Sequence, residues 1–220
     1  MLETLNDLDT QLFLFINGHH CTSMDWVMWV LSAKWSWLIV IVGAYCLTAL
    51  RHDRRRWWLP LAAIALCFLL ADQGSVQIFK NTVCRLRPCH ALEGVHLFRE
   101  GCGGQYGFIS SHAANAFAIA TFFFMRYHHR GGRAVGSAML VWALLTSYSR
   151  AYLGKHYPGD LLCGALFGVL CGLIVATLVG YLGKKWFEKR ESEKQCGDGA
   201  RCDETGSGLG ADWERGGRRV

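Results

Sequence analysis

Long apolar runs alternate with short polar segments along most of the chain, and many of the polar segments contain arginine or lysine. A helix needs about 20 apolar residues to cross the roughly 30 Å hydrocarbon core of a bilayer. Five runs approach that length, and Trp or Tyr recurs near their ends, where amphipathic rings favour the membrane interface. The pattern therefore predicts five membrane-spanning helices, over residues 26–50, 57–79, 110–127, 133–148 and 160–182.

The third and fourth of these spans are short and rich in Ala and Ser, which suits tight packing inside a helical bundle. Upstream of the first span, Leu5, Leu8, Leu12 and Phe15 recur at helical spacing. This spacing predicts an amphipathic helix over residues 5–16, too short to span, that lies along the membrane surface. The predicted fold is all-α: a polytopic transmembrane bundle of about five spans with an interfacial N-terminal helix.

The composition separates this bundle from a C-terminal tail. Hydrophobic residues make up 52% of the 220-residue chain, a high fraction for a soluble domain, and the length fits one domain. Residues 191–220 are instead Gly-rich and charged, with little that could fill a core. We therefore predict a single membrane domain over residues 1–190 and a disordered polar tail over residues 191–220.

The basic residues predict the orientation of the bundle. The loops at 51–56, 126–133 and 184–190 are rich in Lys and Arg and follow the first, third and fifth spans. Cytoplasmic loops carry this excess, so these three loops belong inside, and the segments 80–107 and 149–158 belong outside. Nucleic-acid binding would also explain basic patches, but here they alternate with spans. A membrane partner is expected, and no nucleic acid.

The outer segment 80–107 contains three of the ten cysteines, Cys84, Cys89 and Cys102. A disulfide is possible if this loop faces an oxidising compartment, although an odd number of cysteines leaves the pairing open. With His90 and His96 they could alternatively form a zinc site. Their spacing is not that of a standard Cys/His pair motif, so no metal site is expected.

Polar and charged residues also cluster at the ends of the second, third and fourth spans, all on the predicted outer face. The clusters comprise Lys80, Arg87 and Pro88; Ser110, Ser111 and His112; and Ser149, Arg150, His156 and Asp160. Taken singly, these residues have ordinary explanations, such as basic side chains at the interface, a buried structural histidine, or an aspartate that caps a helix. Their joint occurrence favours a catalytic site.

The residue types in these clusters suit phosphate chemistry. Lys80, Arg87 and Arg150 would bind a dianion if they converge, because guanidinium groups match phosphate oxygens in bidentate geometry. Ser110 and Ser111 open the third span, where the backbone N–H groups of a helix N-terminus suit an oxyanion.

A nucleophile and a proton donor are also available. His156 and Asp160 are four residues apart with Pro158 between them, so a turn into a helix could bring the carboxylate onto one imidazole nitrogen. That contact would fix the tautomer and leave the other nitrogen as a nucleophile. His112 would then protonate the leaving oxygen. Elsewhere, Lys34 is expected to extend to the interface, and Arg85 and Arg99 either contact substrate or are solvated.

The succession Lys-x6-Arg-Pro, Ser-x-His and Ser-Arg-x5-His-x3-Asp resembles the type 2 phosphatidic acid phosphatase (PAP2) superfamily, which also includes vanadium haloperoxidases. The resemblance implies that His156 forms a phosphohistidine, that Asp160 orients it and that His112 is the general acid. It implies no metal or other cofactor. The phosphate would be held by Lys80, Arg87, Ser110, Ser111 and Arg150.

The second motif departs from the family pattern. The family usually has Pro-Ser-Gly-His, whereas this chain has Ile109-Ser110-Ser111-His112. Ser111 would be strained if the glycine position required a positive φ, although a helix N-terminus tolerates serine well.

The resemblance predicts a lipid phosphatase in a bacterial inner membrane, multi-pass, with its active site facing the periplasm. Within the superfamily the chain resembles bacterial lipid A phosphatases and undecaprenyl diphosphate phosphatases, so lipid A phosphate or undecaprenyl diphosphate is the expected substrate. Phosphatidylglycerol phosphate and phosphatidate remain open, as does the oligomeric state. Two alternatives are a phosphotransferase that passes the same phosphate to an acceptor lipid and a non-enzymatic anion transporter. The spans disfavour a soluble haloperoxidase.

Overall fold

The computed structural model describes residues 2–52, 56–99, 101–130 and 132–206. The regular secondary structure in these ranges is helical, apart from one isolated bridge between Leu86 and Tyr106, and loops connect the helices. The longer helices are α1 (Leu2–Gly18), α2 (Thr22–Ser32), α3 (Lys34–His52) and α4 (Trp58–Gly74), followed by a π-helical turn (Ser75–Lys80). After α5 (Asn81–Val83) and α6 (Pro88–Ala91) come α7 (Ser111–Tyr127), α8 (Arg133–Tyr152) and α9 (Pro158–Gly206). The all-α prediction is confirmed.

Two helical stretches of the described chain, Trp58–Val83 and Pro158–Lys185, are long and apolar enough to cross a membrane, with mean hydropathies of 1.7 and 2.5. The pair α2 and α3 makes a third span if its two halves are counted together. The predicted span over residues 26–50 is therefore not one straight helix. The chain bends by 60° between the two helices, where Ala33 is extended at φ −70° and ψ 140°.

Helices α7 and α8 belong to the same bundle, and α7 is its core. This helix packs against both α4 and α8. It buries alanines along most of its length, together with larger side chains toward its end. The prediction of a tightly packed internal helix is confirmed, because small residues let neighbouring backbones approach closely. That α7 and α8 cross the bilayer stays a prediction.

Helix α1 is longer than the predicted 5–16 segment but presents the expected apolar face. The side chains of Leu5, Leu8, Leu12 and Phe15 are all exposed, while Phe13 is fully buried on another face. Exposed leucine and phenylalanine on one helical face suit a membrane surface. The position of α1 at that surface remains a prediction.

The chain divides into two units, Met1–Leu178 and Val179–Val220. The described part of the second unit is the end of α9, which extends to Gly206. The predicted domain boundary at residue 190 therefore does not coincide with a helix end. Disorder in residues 191–220 stays a prediction, and residues 207–220 lie outside the described part.

Glycines allow α9 to pack on α7. A Cβ atom at Gly164 would lie 2.7 Å from the Ser110 carbonyl oxygen, and one at Gly172 would lie 2.5 Å from the Ala118 oxygen. Gly168, between them, faces the Ala114 carbonyl in the same way. Glycines four residues apart line one face of a helix and permit this backbone contact. The opposite face of α9 carries exposed leucines at 162, 166 and 170, as a lipid-facing surface would.

Gly168→Leu should destabilise the protein by about 3 kcal/mol, because an overpacked side chain meets rigid backbone there. Thermal unfolding of the purified protein in detergent measures this. The matched control is Gly180→Leu on the same helix, where an added Cβ meets nothing within 4 Å. Equal melting temperatures for the two variants would contradict the proposed packing.

Candidate active site

A cavity of about 490 Å³ brings together side chains from all three sequence clusters. Five of the predicted site residues line it: Lys80, Arg87, Ser111, His112 and His156. The remaining wall is partly apolar and partly polar, and is made by Ser32, Lys34, Trp37, Phe68, Asp72, Val76 and Asn115. Residues up to 124 positions apart in the chain, His156 and Ser32, thus meet around one space.

Lys80 is the last residue of the π-helical turn that continues α4. Single π-helical turns within helices are frequent at functional sites, because they re-aim the side chains that follow. The Lys80 ammonium donates to the Ser111 hydroxyl at 2.8 Å, and the Ser75 and Ser111 hydroxyls share a hydrogen bond at 2.6 Å. Ser111 therefore positions Lys80. It begins α7 and is not among the described non-glycine residues with positive φ, so the strain considered for this position does not arise.

Arg87 is held by the backbone of the outer loop. Its Nη1 donates to the Cys102 carbonyl at 3.0 Å and its Nε donates to the Tyr106 carbonyl at 3.3 Å. Gly103 has φ +82°, and a Cβ atom there would lie 3.1 Å from Arg87 Nη1. A guanidinium group has five N–H donors, so hydrogen bonds to two carbonyls leave others to face the cavity.

Arg150 lies near the end of α8 and is buried. Its Nη1 donates to the hydroxyl of Ser32, which itself lines the cavity. Arg150 therefore lies directly behind the cavity wall, where its charge acts on His112 and His156.

His156 follows the tight turn that ends α8. Gly154 has φ +76°, a conformation that glycine adopts without the penalty that a side chain would impose. Two backbone hydrogen bonds tie this turn to the end of α8. The Gly154 N–H donates to the Ala151 carbonyl and the Lys155 N–H donates to the Arg150 carbonyl, each at 3.0 Å. The turn reverses the chain and points the fully buried imidazole into the cavity.

Asp160 lies behind His156, away from the cavity. Its Oδ2 is 3.7 Å from His156 Nδ1 and accepts a hydrogen bond from Tyr157 N at 3.1 Å. The first distance is longer than a hydrogen bond, as catalytic pairs often are without substrate. The contact with Nδ1 leaves Nε2 as the nitrogen available for chemistry. The fold thus brings the Asp160 carboxylate beside the His156 ring, and the role of Asp160 in orienting that ring stays a prediction.

Burial, followed by the charges of Arg87, Arg150 and Lys80, lowers the pKa of His156 well below its usual range. Each of these effects disfavours an imidazolium. Burial also lowers the pKa of Arg87. A histidine in this setting is neutral near pH 7, which is the state in which an imidazole nitrogen is nucleophilic.

Ser110 does not line the cavity. Its hydroxyl accepts from Ala113 N at 3.4 Å as the N-cap of α7, and its own N–H donates to the Asp160 carbonyl at 3.1 Å. Ser110 therefore links the second and third motifs, while Ser111 and His112 reach the cavity.

Two of the outer arginines have specific partners. Arg85 contacts Asp160 and Asp9, and Arg99 lies over the Trp26 ring with 4.2 Å between Cζ and the centroid. Lys34 lines the cavity, at the bend between α2 and α3, and so differs from the expectation that it extends away to the interface.

The outer loop is closed by a disulfide between Cys89 and Cys102, which resolves the pairing that the sequence left open. Cys84 is a free, exposed cysteine. The bond uses two of the five residues considered for zinc, and the described part of the chain contains no group of three or more His, Cys, Asp or Glu side chains placed to hold a metal. The disulfide agrees with a loop in an oxidising compartment.

A second anchor of the outer loop lies at His96. The Asn17 side chain donates to the His96 carbonyl at 3.0 Å and to the Tyr152 carbonyl at 2.7 Å. His96 Nε2 is 2.9 Å from an oxygen of Asp25, which also accepts from the Tyr152 hydroxyl at 3.0 Å. These bonds join the loop to α1, α2 and α8.

The PAP2 superfamily model matches residues 56–184. The chain is 37% identical over 172 residues to a lipid A 4'-phosphatase of Bacteroides thetaiotaomicron, covering 76% of this chain and 75% of that protein. It is 28% identical over 193 residues to a lipid A 4'-phosphatase of Porphyromonas gingivalis, covering 84% and 78%. It is also 35% identical to an undecaprenyl-diphosphatase of Bacillus subtilis, but over 34% of this chain and 32% of that protein.

Among solved structures, the fold is similar to a transmembrane PAP2-type phosphatidylglycerolphosphate phosphatase from Bacillus subtilis. The TM-score is 0.59 at 21% identity, covering 83% of this chain and 87% of the other. A likeness at this identity supports the fold.

Replacing Cys89 and Cys102 together by serine should lower the free energy of unfolding by about 3 kcal/mol, because a bridge closing a loop of this length restricts the unfolded chain by roughly that amount. Thermal unfolding with and without a reducing agent checks this: reductant should lower the melting temperature of the natural chain and leave the double variant unchanged. Cys84→Ser is the control and should behave like the natural chain. A reductant-insensitive natural chain would contradict the prediction.

Proposed function

The chain belongs to the PAP2 superfamily and is a metal-independent membrane lipid phosphatase, and from this we propose that it removes a phosphate group from a sugar of a lipid A-type glycolipid. The two lipid A 4'-phosphatases resemble it over most of both chains, whereas the undecaprenyl-diphosphatase resembles it over about a third. This difference in extent favours lipid A over undecaprenyl diphosphate.

The observation that carries the proposal is the wall of the cavity beside the phosphate-binding side chains. Trp37 and Phe68 supply aromatic surface, and Asp72 and Asn115 supply a carboxylate and an amide. Aromatic rings with a few convergent polar groups suit a sugar, whose ring packs on apolar surface while its hydroxyls take hydrogen bonds. A prenyl chain has no hydroxyls to bind such groups.

In the proposed reaction, Lys80, Arg87 and Arg150 supply three positive charges around one phosphate dianion. His156 Nε2 attacks phosphorus in line as the bond between phosphorus and the sugar oxygen breaks. The bound phosphate dianion favours a protonated His112, which donates its proton to that oxygen, and the sugar leaves as an alcohol. The products of this step are a phosphohistidine and a neutral His112.

The second step regenerates the site. The neutral His112 takes a proton from water as the water oxygen attacks phosphorus, and the bond between phosphorus and Nε2 breaks. Asp160 stabilises the positive charge that His156 carries while it is phosphorylated. Lys80 and Arg87 hold the equatorial oxygens through both steps, where charge develops, and the charge of Arg150 acts from behind the cavity wall.

We place this site at the periplasmic face of a bacterial inner membrane. The basic loops predicted to be cytoplasmic follow spans one, three and five, and the disulfide lies in the loop predicted to be outside. A lipid could then present its phosphate to the cavity without leaving the outer leaflet.

His156→Ala should lower kcat at least about 1,000-fold with the fold retained, because removal of a catalytic nucleophile has effects of this size. Phosphate release is measured on purified protein in detergent with lipid A, undecaprenyl diphosphate and phosphatidylglycerol phosphate, and mass spectrometry of the lipid A product locates the lost phosphate. The matched control is His129→Ala, an exposed histidine on the predicted cytoplasmic loop.

Three outcomes would contradict parts of the proposal. An active His156→Ala protein would exclude the nucleophile. Faster release from undecaprenyl diphosphate than from lipid A would exclude the glycolipid substrate. Phosphate appearing on an added acceptor lipid, with little released to water, would identify a phosphotransferase.

The pH dependence should follow His156. Because its pKa lies below the usual value for histidine, kcat/KM should be maintained near pH 6.5 and fall only as the pH drops through that lowered pKa. Lys80→Gln removes one of the positive charges that lower the pKa of His156, so its acid limb should move to higher pH. The substrate's own ionisation is the same for both proteins. An unchanged acid limb in Lys80→Gln would contradict the assignment.

A further inference from the structure

Helix α1 reaches the catalytic aspartate although it lies outside the region that the family model matches, residues 56–184. Arg85 Nη1 is 2.9 Å from Asp160 Oδ1 and 2.8 Å from Asp9 Oδ2. Its Nη2 donates to Asn6 Oδ1 at 2.9 Å. One guanidinium therefore joins the fully buried Asp160 to two side chains of α1.

Asp9 also holds the first turn of α9. Its Oδ1 accepts from Gly159 N at 2.7 Å, and a Cβ atom at position 159 would lie 2.8 Å from Asp9 Oδ2, so the glycine leaves the room that this approach needs. An acidic side chain at a helix N-terminus satisfies an N–H group that has no partner within the helix. The same carboxylate thus binds Arg85 with one oxygen and the backbone beside Asp160 with the other.

Aromatic packing holds the cation in place. The Arg85 guanidinium lies over the Tyr157 ring, 4.0 Å from its centroid, and Phe13 of α1 packs edge-on against the same ring with 5.5 Å between centroids. Tyr157 is adjacent to His156 in the chain and donates its N–H to Asp160 Oδ2. Oδ1 of Asp160 is therefore directed at Arg85, and Oδ2 is directed at Tyr157 N and the His156 ring.

We propose that Asp9 and Arg85 are positioning residues for catalysis. Together they form a clamp that holds Asp160 and, through it, fixes the orientation and tautomer of His156. The inference rests on the proposed function, in which His156 is the nucleophile. It assigns α1 a role in the active site in addition to any role at the membrane surface.

The charges of the clamp make its role separable from plain structural support. Asp9, Arg85 and Asp160 together carry one negative charge, which favours a positive charge on His156. Asp9→Asn removes a negative charge and leaves Arg85 to neutralise Asp160 alone. Arg85→Gln removes the positive charge and leaves two carboxylates beside the imidazole. The two variants therefore change the electrostatic potential at His156 in opposite directions.

The test measures kcat, KM and the pH profile of the full chain in detergent, using a water-soluble phosphate monoester such as p-nitrophenyl phosphate. In both variants kcat should fall about tenfold with little change in KM, the lower end of the effects seen for outer-shell partners of active-site groups. The acid limb of kcat/KM should move to lower pH in Asp9→Asn and to higher pH in Arg85→Gln. The double variant should lose less activity than the product of the two single losses, because each residue acts through the other.

Matched controls are Asp7→Asn, an exposed aspartate on the same helix, and Arg99→Gln, an arginine of the same loop that lies over Trp26. Both should match the natural chain in kcat and pH profile. Arg85→Lys should retain part of the activity, since lysine keeps the positive charge. It also serves as a second variant if Arg85→Gln folds poorly. Thermal unfolding reports the fold of each variant.

Two results would overturn the clamp: single variants with kcat within twofold of the natural chain, or acid limbs that move in the same direction in both. The soluble substrate keeps this outcome distinct from the fate of the proposed function. If lipid A is not hydrolysed, the soluble assay still reports on the clamp. If His156→Ala retains activity on the soluble substrate, the assignment of His156 as nucleophile is wrong, and so is the proposed role of Asp9 and Arg85.

Discussion

The structure depends on one electrostatic constraint: a neutral imidazole must be buried among cations and still face a carboxylate. His156 is fully buried near Arg87, Arg150 and Lys80, which favour an anionic substrate and disfavour a protonated ring. Asp160 lies on the other side of the ring, where, in the proposed mechanism, it would stabilise the charge that appears only once Nε2 is bonded to phosphorus. Without the carboxylate the intermediate would be a cation among cations, and without the cations the substrate would not bind.

Close packing between α7 and α9 makes this arrangement possible. Gly164 approaches the carbonyl of Ser110, and the Ser110 N–H donates to the carbonyl of Asp160. The first turns of the two helices are therefore bonded to each other, so that His112 on α7 and His156 just before α9 reach the same cavity. A larger residue at Gly164 would separate the helix ends and, with them, His112 and His156, the proposed proton donor and nucleophile.

The sequence was sufficient for those features that local chemistry determines. The lengths of the apolar runs predicted the helices. The three motifs identified five side chains that line the cavity, Lys80, Arg87, Ser111, His112 and His156, and two that lie behind it, Arg150 and Asp160. The glycines at 164, 168 and 172 could also have been recognised, since glycines four residues apart in an apolar helix indicate close packing.

Long-range partners were not predictable in this way. Asp9 and Arg85 are far apart in the chain, and no spacing rule connects them. The available signal was weaker: Asp9, Phe13 and Asn17 recur every fourth residue on the face of α1 away from the exposed leucines, and all three contact the rest of the protein. The roles of Ser110 and Arg150 likewise depended on tertiary contacts, with Asp160 and Ser32 respectively.

The bend at Ala33 shows why the first span is better broken than straight. Successive residues of a straight helix turn by about 100°, so residues 32 and 34 would point to nearly opposite sides. With Ala33 extended, Ser32 ends one helix and Lys34 begins the next, and both line the cavity together with Trp37. The Ala33 carbonyl accepts hydrogen bonds from the N–H and the hydroxyl of Ser36, so the break leaves this carbonyl bonded.

Irregular backbone at membrane depth is tolerated where protein or a polar cavity covers it. Because Arg150 binds Ser32 and Trp37 packs against His112, the break connects α2 and α3 to residues of the candidate active site. The same bend shapes the wall that a sugar would contact in the proposed function.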